Sequence, residues 1–182
     1  PLPLPERELA VYASPYFALL LPSELLTIIL EHMDALRRQA KWQVETVLER
    51  KQDGRYEGRQ LLDDGSPLVA TFTIEGNRAV LDFEGTADVH PGNLNATPAI
   101  VHSVTMYVMR LLVDVELPLN EGLLDPIEIR IPRGLLDPGY SADPEACPAV
   151  VGGNVETSQR LTDTLLEALS VSGCSQGTMN NL

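Results

Sequence analysis

The chain has 182 residues, with 13 Lys and Arg against 26 Asp and Glu, for a formal charge of −13. That length supports one domain with a real core rather than two, and a hydrophobic share of 44% is ordinary for a globular protein. Only Lys41 and Lys51 are lysines and no basic run occurs, which argues against nucleic acid and anionic membrane as partners.

Cys147 and Cys174 have neither CxxC spacing nor a neighbouring histidine, so reduced thiols are the simplest account of them. Pro1-Leu2-Pro3-Leu4-Pro5 lacks the basic start and apolar core of a secretory signal. Phe17 to Leu21 is far too short to span a bilayer. A cytoplasmic location is therefore expected. The missing initiator methionine and the abrupt end at Asn181-Leu182 lead to the expectation of a piece of a longer protein.

In chain order, residues 1–22 read as a proline-rich arm, and 23–182 as a single α+β domain. Ser23 and Glu24 open a helix expected to run to about Gln52. Leu25, Leu26, Ile29, Leu30, Met33, Leu36, Ala40, Val44, Val47 and Leu48 trace its apolar face. Three strand-like runs follow, at 56–62, 68–74 and 78–83. They are separated by Asp63-Asp64-Gly65 and Glu75-Gly76-Asn77, the turn chemistry of an antiparallel meander.

A loop then leads to Thr97 and Pro98, a favoured way to open a helix. His102 within that helix and His90 in the loop, with Asp88 two residues before it, do not amount to a metal site. Ile127 to Ile131 alternates as a fourth strand, and residues 133–149 read as a long surface loop. The order α-β-β-β-α-β-α predicts an antiparallel or mixed sheet covered by helices, an α+β fold.

The last helix follows Val150-Val151-Gly152-Gly153-Asn154-Val155-Glu156-Thr157-Ser158-Gln159-Arg160. The glycine pair allows a tight turn, Asn154 is an expected N-cap, and Glu156 suits the helix dipole. Leu161, Leu165, Leu166 and Leu169 form the expected buried stripe. Nucleotide-binding glycine motifs, GxSxG and HExxH are all missing from the sequence. Amide and glycine clusters stand out instead: Gly92-Asn93-Leu94-Asn95, Asn120-Glu121-Gly122, Gly152-Gly153-Asn154 and Gln176-Gly177-Thr178-Met179-Asn180-Asn181. Each is also ordinary turn chemistry, but four of them favour a shared polar pocket.

These clusters, with Asp82-Phe83-Glu84-Gly85-Thr86, Asp53-Gly54-Arg55-Tyr56, Leu61-Leu62-Asp63-Asp64-Gly65 and Pro118-Leu119-Asn120-Glu121-Gly122, resemble the hydantoinase B/oxoprolinase family from about residue 23 onward. The resemblance implies an interior segment of a larger oligomeric enzyme. That enzyme would open a cyclic amide, such as 5-oxo-L-proline to L-glutamate or a hydantoin, together with a hydantoinase A-type partner that handles ATP and Mg. It also implies that the family's metal ligands precede this region, so no metal residues are expected here.

On motif position, Glu156 and Arg160 are the candidate catalytic pair. Glu156 would move a proton or orient water, and Arg160 would serve a phosphorylated intermediate. Asn93, Asn95, Gly152, Gly153, Asn154, Gln159, Gln176, Thr178 and Asn180 are the candidate substrate-binding residues. The alternatives are a non-catalytic interface module of the same complex, which exposed apolar area on the first helix would favour, or a relative of the acetone and acetophenone carboxylases.

Overall fold

The computed structural model describes residues 23–172. Helix α1 spans Ser23–Arg50 and leads into strand β1, Gly54–Leu61. Strands β2 (Pro67–Glu75) and β3 (Arg78–Asp82) complete the meander. Helix α2 (Pro98–Leu112) crosses over to β4 (Ile127–Arg130), and α3 (Glu156–Ala168) follows. The sheet order is β1-β2-β3-β4, with the first three strands antiparallel and β4 parallel to β3. The fold is α+β with a mixed sheet.

Alternation in β2 buries Leu68, Ala70, Phe72 and Ile74 on one face, and β3 adds Ala79 and Leu81. Val101, Val104, Val108 and Met109 of α2 and Leu161 and Leu165 of α3 close this core. Helix α3 lies directly on β1, because Gly58 leaves the space that a Cβ would take from the Thr164 carbonyl. Leu161, Leu165 and Leu169 are buried and Leu166 is half-buried, so the period of the last helix was legible in the sequence.

Three local expectations change. Residues 133–149 are not wholly a surface loop: Leu135 and Leu136 are buried. The Leu135 amide donates to the Ala87 carbonyl at 2.9 Å, and its carbonyl accepts from Ala96 at 2.7 Å. Secondly, Asn154 does not cap α3. It closes a 3₁₀ turn, Gly152–Asn154, and Val155 takes the cap position without a side-chain bond. The turn tightens because the Gly152 amide is drawn to the Asn93 carbonyl at 2.8 Å while Val155 donates back to Gly152 at 3.1 Å.

Thirdly, only the C-terminal half of α1 is buried, at Ala40, Val44 and Leu48. Leu25, Ile28 and Leu36 are 42%, 50% and 40% exposed. The reason is the position of the anchor. Gly122 packs beneath the Arg37 carbonyl, and Arg37 clasps Asp125 at 2.7 and 3.0 Å, so the helix meets the domain from about Arg37 onward. Thr97 takes the α2 cap position with Pro98 in the first turn, as the sequence reads, without a side-chain cap bond, and His102 is exposed.

Candidate functional site

The Gly152–Asn154 turn is held against the loop before α2. Asn95 of that loop is fully buried, and its side chain is occupied by protein groups. Its Oδ1 accepts from the His90 amide at 2.7 Å, while Nδ2 reaches the carbonyls of His90 (2.9 Å), Ala149 (3.0 Å) and Gly92 (3.3 Å). Gly153 is also buried, and a Cβ there would overlap the Asn95 carbonyl oxygen. The Thr157 hydroxyl donates to the Leu94 carbonyl. Asn95, Gly152 and Gly153 thus shape the site through backbone contacts, and the Asn93 carbonyl joins them while the residue itself remains exposed.

Above this seam, a groove of about 440 Å³ runs between α2 and α3. Asn154 and Gln159 line it together with Thr97, Ser103, Tyr107, Ser158 and Thr162, and Ile100 and Val104 supply apolar wall. The lining therefore offers amide and hydroxyl donors and acceptors beside aliphatic surface, with no charged side chain. Such a lining suits the amide and methylene parts of a ring. Ser103, Tyr107 and Thr162 belong to none of the motifs quoted from the sequence. Ser103 with Tyr107 and Ser158 with Thr162 are spaced four apart on the polar sides of their helices, which is the signal that marks them.

Glu156 and Arg160 stand on a neighbouring side of α3. Their side chains meet at 3.4 Å, and Arg160 also reaches Asp63 of the β1–β2 turn at 3.5 Å. On the same turn, Asp64 lies 2.8 Å from His90 Nε2. Hydrogen bonds from the Ser66 amide and hydroxyl, then from His90, hold the Asp64 carboxyl below the usual carboxylate range. Gln176, Thr178 and Asn180 lie outside the described residues. Among the described residues, no group of three or more His, Cys, Asp or Glu is placed to hold a metal ion, and no helix is long and apolar enough to cross a membrane.

The fold is α+β, with a glycine-asparagine turn abutting a polar groove between two helices. The sequence match makes it particular: residues 24–182 match Hydantoinase B/oxoprolinase, and the chain belongs to that family. It is 46% identical over 128 residues to 5-oxoprolinase 1 of Arabidopsis thaliana, covering 69% of this chain and 10% of that protein. It is 38% identical over 162 residues to 5-oxoprolinase of Saccharomyces cerevisiae, covering 86% and 12%. The chain therefore spans about a tenth of the length of these curated relatives. Among solved structures, the ATP-dependent caprolactamase of Pseudomonas jessenii superposes with a TM-score of 0.64 at 22% identity, over 78% of this chain and 25% of that one. That likeness concerns the fold.

Proposed function

We propose that this chain is a substrate-binding segment of an ATP-dependent cyclic-amide hydrolase, acting on 5-oxo-L-proline or a hydantoin within a longer protein. One observation carries the reading. Asn154 and Gln159, put forward by the glycine-asparagine motif, line one groove with the hydroxyls of two helices. A ring amide has one donor and one acceptor, and the two side-chain amides can satisfy both. Ile100 and Val104 would take the ring methylenes. Glu156, beside the groove on α3, would orient water or move a proton, with Arg160 holding its carboxylate in place.

ATP and Mg do not fit the described residues. The groove lining has no cation to meet a triphosphate, and no cluster among the described residues suits a metal. In this reading their binding belongs to a hydantoinase A-type subunit or domain. An oligomeric, cytoplasmic enzyme is part of the same reading.

The test is ATP-dependent glutamate release from 5-oxoproline by the full-length protein with its A-type partner. Asn154→Ala and Gln159→Ala should each lower kcat/KM about tenfold or more. Unchanged rates for both would remove the groove as the substrate site, and a loss below about tenfold for Glu156→Gln would remove its catalytic role. A second reading, an interface module within the complex, draws on a different feature: the exposed Leu25, Ile28 and Leu36 on α1.

A further inference from the structure

The loop between β3 and α2 carries an imidazole that is tied at both nitrogens and lies outside the proposed chemistry. His90 Nε2 is 2.8 Å from Asp64 Oδ2, while the Gly92 amide donates to Nδ1 at 2.9 Å. A carboxylate can only accept and a backbone amide can only donate, so the two partners dictate one state of the ring. Nε2 carries the proton and Nδ1 is bare. The side chain is 12% exposed, although Asp64 is 45% exposed.

The ring is continuous with the groove through a short series of bonds. The His90 amide and carbonyl hold the two ends of the Asn95 carboxamide, whose Nδ2 also reaches Ala149 at the start of the glycine motif. The Asn93 carbonyl takes the Gly152 amide, and Gly153 abuts the Asn95 carbonyl. Asn154, the next residue, lines the groove. We propose that neutral His90, in its Nε2–H tautomer, is the positioning residue that sets the loop and through it the Asn154 side of the groove. This rests on the groove being the ligand site only for its consequence; the placement of the turn is independent of it.

The charged groups around the ring are consistent with that role. Asp64 holds Nε2–H, Asp63 on the same turn faces Arg160 instead, and Arg160 faces Glu156. Asp88 precedes the ring in the same loop and is exposed. A second proton would sit on Nδ1 and confront the Gly92 amide, removing the acceptor that folds residues 90–92 into their turn.

The full-length protein that contains this chain tests this without a substrate. Nitrogen-15 NMR of the imidazole near neutral pH should give the Nε2–H tautomer for His90. The Nδ1–H tautomer or an imidazolium there would overturn the proposal. His90→Phe removes both contacts and should speed amide exchange at Gly152 about tenfold beyond any change in global stability. His90→Asn, whose carbonyl can accept the Gly92 amide in an Asx turn, should recover most of that protection. Equal exchange in the wild type and His90→Phe would sink the idea. Lactam-dependent turnover of the complete enzyme is read separately. Loss of Gly152 protection with unchanged turnover would leave the positioning role standing and refute the groove as the substrate site.

Discussion

Replacing Asn95 by alanine isolates the bond set that joins the two halves of the site. The carboxamide is fully buried and touches four backbone groups: one donor and three carbonyls. Its Nδ2 has two protons, so three good bonds form at once, with the 3.3 Å contact to Gly92 shared. At about 1 kcal/mol for each neutral bond, Asn95→Ala should cost about 3 kcal/mol, because the stranded groups find no other partner. With a urea m-value of roughly 2 kcal/mol/M for a chain of this size, the midpoint should fall by about 1.5 M. Far-UV circular dichroism during urea titration reads it. Asn95→Asp should be at least as damaging, since it turns a carboxylate toward carbonyl oxygens. A midpoint shift under about 0.3 M at unchanged m-value would refute the assignment of Asn95 to structure, and would return its side chain to the list of ligand contacts.

Further outcomes follow from the same geometry. Gly153→Ala forces a Cβ into the Asn95 carbonyl, so it should destabilise by about 2 kcal/mol or more; a thermal melt matching wild type would show that the turn yields. The Arg37–Asp125 pair is bidentate but partly exposed, at 41% and 26% of its side chains. A double-mutant cycle should therefore give a coupling of only about 0.5–1 kcal/mol, and a coupling near zero would mean that α1 is held by its packing at Gly122 and by the buried Ala40, Val44 and Leu48. Asp64 has its folded-state pKa depressed by Ser66 and His90. Its contribution is present above the ordinary value of 3.8 and is lost as pH falls through the lower folded value. The urea midpoint of wild type should thus converge on that of Asp64→Asn as pH drops from about 5 to below the ordinary carboxylate range, whereas a difference constant over that range would contradict the bonding.

Periodicity and turn chemistry alone placed the main elements within a few residues. The alternation of Val69, Thr71 and Thr73 against Ala70, Phe72 and Ile74 made β2, and the glycine turns made the meander. The leucine spacing of α3 fixed its buried side. These are short-range properties, in which neighbouring side chains and backbone angles decide the outcome. The family was likewise legible, because its motifs lie in contiguous stretches that 24–182 match.

What only the tertiary structure decided concerns residues that meet from distant parts of the chain. The sequence presented Asn95 and Asn154 as equals, yet one is sealed among backbone groups and the other faces a groove. His90 and Asp64 stand 26 positions apart and share no motif, and they come together because the β1–β2 turn lies over the loop before α2. By its helical period the apolar face of α1 reads as one stripe. Where it ends as core depends on Gly122 and Asp125, which a helical period cannot see. An amide or imidazole can bind a ligand or satisfy the backbone with the same atoms. Which it does is set by the groups the fold brings within about 3 Å of it.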